Sequence, residues 1–135
     1  MAAARRSSRT LVIDIGGSAL KAAVLGARGR SLTAPLRVPT PQPATRARVL
    51  AALDDLALRL APFERAAVGF PGVVRGGRVR TAPNLAQGSW RGCPLAALLA
   101  RRWRRPVRVV NDAVLQGLGV IAGRGVELVL TLGTG

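Results

Sequence analysis

The chain has 135 residues, of which 49% are hydrophobic and 20% charged, a composition typical of one modest globular domain rather than of a disordered segment. It has no histidine and one cysteine, Cys93, which excludes internal disulfides, His/Cys zinc sites, Ser-His-Asp triads and histidine bases. Acid–base chemistry therefore falls to the six Asp and Glu residues, and no apolar stretch is long enough to span a bilayer.

The first half of the chain predicts a hairpin, a third strand and a helix. An apolar run at 11–17 ends in a Gly-Gly turn and pairs with a second strand at 19–25, and a short strand follows at 36–39. Prolines at 39–43 exclude helix and central strand, so this stretch is a loop. Thr45 is then an N-cap candidate, and apolar residues at helical spacing predict a helix that Pro62 ends.

The second half predicts strands alternating with helices. Strands are expected at 66–70 and 107–110, with a small hairpin at 73–79 between them, and helices at about 94–103 and 113–121. A last strand is expected at 127–132. This order predicts an α/β sheet with functional residues at the strand ends, where open α/β folds bind their ligands.

The turn after the first strand is the first candidate site. In the pattern Asp14-x-Gly16-Gly17-Ser18-x-x-Lys21, glycines let the backbone approach a phosphate, and successive amides form an anion-binding concavity. Asp14 could hold Mg²⁺ through water, and Lys21 could support the phosphates or pair with Asp14. The alternative is an ordinary hairpin turn with a solvent-facing lysine.

A second candidate is the pair Asn111-Asp112, between an apolar strand and a helix. Such a pair is most often a helix N-cap. The functional interpretation is that the carboxylate of Asp112 takes the proton of a sugar hydroxyl attacking a phosphoryl group, while Asn111 orients neighbouring hydroxyls.

Two further turns have the same ambiguity. The segment Gly69-Phe-Pro-Gly72, with Asn84 and Trp90 downstream, suits a small polar ligand but also fits plain turn chemistry with Trp90 as core packing. The turn Gly133-Thr134-Gly135 is either a second phosphate turn or a simple hairpin.

The formal net charge of +15 is almost entirely arginine. Compositional bias explains it without any function, whereas the functional interpretation is attraction of a polyanion such as nucleic acid or polyphosphate. Nucleic acid is the weaker candidate, since the few aromatic residues are scattered. The basic segment 1–10 lacks the apolar region of a signal peptide, so we expect a disordered tail and a cytoplasmic protein.

Taken together, the order and spacing of these motifs resemble the ROK family of sugar kinases and regulators, from about residue 11 to the end of the chain. The resemblance implies the N-terminal lobe of an actin-like ATPase (ribonuclease H-like) fold. The matching motifs are 14–18 with Lys21, 69–72, 83–85 with Trp90 and 94–95, Asn111-Asp112, and 132–135. The loop 38–45 resembles polyphosphate glucokinases in particular.

The resemblance implies transfer of a phosphoryl group from polyphosphate or ATP to the 6-hydroxyl of glucose or a related hexose. Asp112 would be the base. The sugar would be held by Gly72, Asn84, Asn111 and Asp112. The donor phosphates, with Mg²⁺, would be held by Asp14, Gly16, Gly17, Ser18, Lys21, Gly133, Thr134 and Gly135. An arginine surplus would suit polyphosphate, and no DNA or membrane partner is expected.

The family pattern also implies a second lobe with a Glu-x-Gly-His segment, often a zinc motif, and possible homodimerisation. We therefore expect an N-terminal lobe at 11–122 and the start of a truncated second lobe at 123–135, with little turnover by the chain alone. The alternatives are a non-catalytic remnant, a basic polyanion-binding module, and a sugar-sensing regulator of the same family. The regulator would need a DNA-binding segment before residue 11, and we do not expect ten residues to hold one.

Overall fold

The computed structural model describes residues 8–130. A five-stranded sheet in the order β3-β2-β1-β4-β7 forms its centre. The strands are β1 (Thr10–Ile15), β2 (Ala19–Leu25), β3 (Leu36–Pro39), β4 (Arg65–Phe70) and β7 (Val107–Asn111), and a separate two-stranded hairpin consists of β5 (Val74–Arg75) and β6 (Arg78–Val79). β1 and β2 form an antiparallel hairpin, whereas β1, β4 and β7 run parallel.

Four α-helices and one 3-10 turn complete the described chain. They are α1 (Arg46–Arg59), α2 (Gln87–Trp90), α3 (Leu95–Trp103) and α4 (Asp112–Leu118), with the 3-10 turn at Ala27–Gly29. Thr45 is the N-cap residue of α1, although its side chain makes no capping hydrogen bond. Across residues 8–130, every helix is too short or too polar to cross a membrane.

One face of the sheet carries the hydrophobic core. Alternate residues of β1, including Leu11 and Ile13, are fully buried there together with Leu53 of α1 and Leu99 of α3. Burial of each such side chain contributes about 1.5–3 kcal/mol. Trp90 is also fully buried. The core therefore fixes α1 and α3 on this face.

The opposite face is lined by smaller and more polar side chains. Gly69 alternates along β4 with the core residues Val68 and Phe70, and α4 lies against it, because a Cβ at position 69 would meet Leu115. Asp14 of β1 and Lys21 of β2 form a directly opposed cross-strand pair on this face. The sheet thus separates an apolar core from a face that carries charge.

The predicted order of elements is confirmed up to the last strand. α4 ends at Leu118 rather than near residue 121, because Gly117 and Gly119 are poor helix formers. The short helix α2 replaces part of a predicted loop.

The strand predicted at 127–132 is wrong for its described residues, which form no strand. The carboxylate of Glu127 turns back and accepts hydrogen bonds from the amides of Ala122 (2.8 Å) and Arg124 (2.7 Å), which favours a loop. Leu128 and Leu130 are exposed. Without a neighbouring strand among residues 8–130, an apolar run of this kind has no ladder to join.

Candidate functional site

The carboxyl ends of three parallel strands lie side by side. Asp14 of β1 is in register with Gly69 of β4, and the next residue of β4, Phe70, is in register with Asn111 of β7. Parallel strands place their carboxyl ends at one edge of the sheet, where α/β folds bind ligands. The structure therefore brings together the first glycine turn, the loop after β4 and the Asn111-Asp112 pair.

The turn Gly16–Ser18 joins β1 to β2 at this edge. The Gly16 amide donates to the Ala19 carbonyl (2.9 Å) and closes the hairpin, and Ser18 is exposed. A Cβ on Gly17 would lie 3.3 Å from both Cβ and the carbonyl oxygen of Asn84. Asn84 thus packs directly against the glycine turn, so the predicted sugar-side and phosphate-side residues are neighbours.

Asn111 is the N-cap of α4, which confirms the capping interpretation. Its Oδ1 accepts from the amides of Ala113 (3.0 Å) and Val114 (3.3 Å), while its Nδ2 donates to the carbonyl of Gly72 (3.0 Å). These bonds tie the start of α4 to the loop after β4. One Nδ2 hydrogen remains for a ligand, so the cap does not preclude a binding role.

Asp112 is the first residue of α4 and is half-buried. Its Oδ1 accepts from the Ala113 amide (2.8 Å), whereas its Oδ2 accepts from no residue between 8 and 130. A Cβ on Gly69 would lie 3.3 Å from the Asp112 Cα and 2.8 Å from Cδ2 of Leu115. The bare glycine therefore allows the start of α4, with Asp112, to approach β4 closely.

Asp14 has an electrostatic environment unlike that of an ordinary surface aspartate. Burial raises the pKa of Asp14, the opposing charge of Lys21 lowers it, and the negative charge of Asp112 raises it further. The net direction is upward, because desolvation disfavours the charged form more than Lys21 favours it. Asp112 thus lies close enough to Asp14 for its charge to act on the Asp14 carboxyl.

The other acidic residues have structural partners or lie elsewhere. Asp54 and Asp55 pair with arginines, and Glu127 accepts from loop amides. Glu64 immediately precedes β4, at the amino edge of the sheet. The remaining two of the six acidic residues are those at the carboxyl edge, where acid–base chemistry is expected.

Two residues next to the glycine turn were missed by sequence reasoning. Thr40 Oγ1 donates to the Gly16 carbonyl (2.6 Å) and Gln42 Nε2 donates to the Gly17 carbonyl (3.2 Å). The sequence shows that Thr40 lies between two prolines and supplies the one backbone donor of that tripeptide, but not which group this donor bonds to. Trp90, by contrast, belongs to the core: it packs against Phe70 with ring centroids 5.0 Å apart and the ring planes tilted by 59°.

The second predicted phosphate turn, at 133–135, lies outside the described residues. No group of three or more His, Cys, Asp and Glu side chains is arranged to hold a metal ion within the described chain. Asp14 still suits Mg²⁺, which is bound by one or two carboxylates and keeps several waters. A divalent cation held by Asp14 would offset the repulsion between its charge and that of Asp112.

The sequence was compared with those of known protein families and characterised proteins. The model of the ROK family matches residues 10–135. The polyphosphate glucokinase of Mycobacterium leprae (strain TN) is 33% identical over 131 residues, which are 91% of this chain and 40% of that protein. The chain therefore spans less than half the length of this curated relative.

Solved structures agree with the fold. The inorganic polyphosphate/ATP-glucomannokinase from Arthrobacter sp. strain KM superposes with a TM-score of 0.76 at 38% identity, over 83% of this chain and 47% of that one. A ROK family glucokinase from Streptomyces griseus, solved with glucose and AMPPNP, has a TM-score of 0.68 at 33% identity, over 78% and 34% of the two chains. The α/β sheet described above is thus the N-terminal part of the actin-like fold of these kinases.

Proposed function

Because the chain belongs to the ROK family, we propose that it forms the part of a hexose kinase that binds the sugar and the donor phosphates. The proposed reaction transfers a phosphoryl group from polyphosphate or ATP to the 6-hydroxyl of glucose or a related hexose. The observation that carries the proposal is the convergence of Asp14, the glycine turn and Asp112 at one sheet edge. Phosphoryl transfer requires a base and a phosphate cradle in that proximity.

On the acceptor side, Asp112 is the proposed base. Its Oδ2, which has no protein donor among residues 8–130, would accept the proton of the sugar hydroxyl as the hydroxyl attacks the phosphoryl group. Asn84, the remaining Nδ2 hydrogen of Asn111 and the backbone at Gly72 would hold the sugar. Fixing the hydroxyl beside the base supplies orientation, which is a major part of catalysis in this class of reaction.

On the donor side, the amides of Gly17 and Ser18 would hold phosphate oxygens, and Lys21 would neutralise part of their charge. Asp14 would hold Mg²⁺ through water. When bound, Mg²⁺ neutralises charge on the donor phosphates. The raised pKa of Asp14 supports this role, because a buried carboxylate near another negative charge gains from a cation.

Both donors are part of the proposal, since the similar proteins include an inorganic polyphosphate/ATP-glucomannokinase. Glucose is the first acceptor to test, since the Mycobacterium leprae relative is named a polyphosphate glucokinase. The surplus of arginine suits the longer polyanion. Mannose is the natural second acceptor to test.

The test is phosphorylation by the full-length protein that contains these residues. The protein is supplied with Mg²⁺, glucose or mannose, and either tripolyphosphate or ATP, and hexose 6-phosphate is followed by ³¹P NMR. We expect hexose 6-phosphate with at least one donor and none without Mg²⁺. Absence of any phosphorylated hexose with both donors would contradict the proposal.

A further inference from the structure

All three carbonyl groups of the glycine turn are held by one short segment, residues 40–42. The Thr40 hydroxyl donates to the carbonyl of Gly16 (2.6 Å), and the Thr40 amide donates to that of Ser18 (3.0 Å). Gln42 Nε2 donates to the carbonyl of Gly17 (3.2 Å). Each carbonyl of the turn therefore has its own donor from the same loop.

Holding a carbonyl fixes the amide that follows it. A peptide group is planar and trans, so its C=O and N–H point in opposite directions. The bond from Thr40 to the Gly16 carbonyl sets the direction of the Gly17 amide. In the same way, the bond from Gln42 to the Gly17 carbonyl sets that of the Ser18 amide.

The amides fixed in this way have no acceptor within the described protein. Neither the Gly17 nor the Ser18 amide donates to any residue between 8 and 130, whereas the preceding Gly16 amide is used by the Ala19 carbonyl. Two neighbouring N–H groups left without an acceptor are donors available to an anion.

The segment that holds them is itself secured. Thr40 is only 4% exposed, although it is polar. The carbonyl of Gln42 accepts from Nη1 of Arg48 in α1 (2.7 Å). The loop is thus bonded to α1, which packs on the core. The position of the glycine turn therefore depends on how this loop is held against the folded domain.

We propose that Thr40 and Gln42 are positioning residues, which hold the Gly17 and Ser18 amides in the direction required by the anionic oxygens of the phosphoryl donor. The inference deepens the proposed function and rests on it. It assigns to the proline-rich loop a role in donor affinity that is exerted through the turn rather than by contact with the donor.

The experiment uses the ¹⁵N-labelled protein, titrated with tripolyphosphate and Mg²⁺ while the Gly17 and Ser18 amide signals are followed. Thr40→Val removes the hydroxyl at nearly constant size, and Thr40→Ser restores it. Gln42→Leu removes the second donor at an exposed position. The matched control is Thr33→Val, because the hydroxyl of Thr33 is likewise bonded to the backbone: its Oγ1 accepts from the Val24 amide (3.0 Å), at the opposite end of β2.

In the wild type, both amide signals are expected to move on titration. Thr40→Val and Gln42→Leu are each expected to weaken tripolyphosphate binding about 3- to 10-fold, the equivalent of one lost hydrogen bond. Thr40→Ser and Thr33→Val should bind like the wild type. Without ligand, the order parameter of Gly17 in Thr40→Val should fall from about 0.85 towards 0.6.

The two ways to fail are distinct. If the wild-type amides move but Thr40→Val and Gln42→Leu bind tripolyphosphate as tightly as the wild type, the positioning role is wrong and the proposed function stands. If tripolyphosphate moves neither amide in the wild type, the proposed donor site is wrong and the positioning role is overturned with it.

Discussion

Two aspartates of this protein, Asp54 and Asp14, have opposite surroundings. Asp54 accepts hydrogen bonds from Nε of Arg102 (2.9 Å) and Nε1 of Trp103 (2.9 Å), so its charge is matched by a cation and satisfied by donors. Asp14 faces Lys21 across the strands but accepts no hydrogen bond from residues 8–130, and burial, together with a smaller effect of the Asp112 charge, raises its pKa.

The two surroundings have opposite effects on the free energy of unfolding: a paired carboxylate stabilises the fold, whereas a half-buried carboxylate without donors destabilises it. A half-buried carboxylate without donors is disfavoured by desolvation. Groups of this kind cluster at functional sites, where their unfavourable energy is offset by a ligand. We therefore expect residues at the carboxyl edge of the sheet to favour function at the expense of stability. Residues in the contact between α1 and α3 are expected to affect stability alone.

Asp112→Asn should have the largest effect. The amide keeps the shape of the side chain but cannot take a proton, so the rate of hexose phosphorylation by the full-length protein should fall about 10²–10⁴-fold, the usual contribution of a general base. The thermal unfolding midpoint should change little. If the variant retained more than a tenth of the wild-type kcat, Asp112 would not be the base.

Gly69→Ala should have the next largest effect. Its Cβ would lie 2.8 Å from Cδ2 of Leu115 and 3.3 Å from the Asp112 Cα, so the Leu115 side chain must move and the start of α4 must give by a few tenths of an ångström. Misplacement of the base by about 1 Å can cost on the order of 100-fold in rate, and overpacking costs about 1–3 kcal/mol. Gly88→Ala, at a glycine with open space around it, is the control. Equal activity of the two variants would contradict the close approach.

Asp14→Asn should raise stability while it impairs donor binding. Because the folded pKa of Asp14 lies above its unfolded value, the charged form destabilises the fold at pH 7, and this cost disappears as pH falls below the unfolded pKa. The variant should therefore melt above the wild type at pH 7 and converge with it near pH 3.5, as circular dichroism would measure. If Asp14→Asn melted below the wild type at pH 7, the charge of Asp14 would stabilise the fold, which would contradict this account.

Asp54→Asn should have the smallest effect and no effect on catalysis. Its side chain and that of Arg102 are 34% and 45% exposed, so solvent screening limits the ion pair to about 1 kcal/mol or less. Chemical denaturation should report a loss of that size, and added salt should shrink it. A change in the KM for either substrate would show that the α1–α3 contact is coupled to the site.

Much of the fold could be predicted from the sequence, because its apolar residues recur with the periods of strands and helices. The alternation of buried Leu11, Ile13 and Ile15 is what a strand with one core face requires, and Leu53 and Leu56 recur at helical spacing. The strand predicted at 127–132 was wrong in its described part, because an apolar run does not reveal whether a partner strand is available.

The site was predictable only in part. Asn111 was assigned both a capping and a binding role from its place between strand and helix, and the cap is confirmed. The hydrogen bonds from Thr40 and Gln42 to the glycine turn could not be predicted, because they join residues that are 24 and 25 positions apart in the sequence. Contacts of that sequence separation depend on how β3 docks on β2, which local patterns do not encode.

The most direct test is to follow the side-chain carboxyl carbon of Asp14 by NMR as pH is varied, in the wild type and in Asp112→Asn. If the two carboxylates share one site, the pKa of Asp14 lies above the ordinary aspartate value in the wild type and falls when Asp112 loses its charge. An Asp14 titration that is identical in the two proteins would mean that the carboxylates do not face each other, which would contradict the site described here.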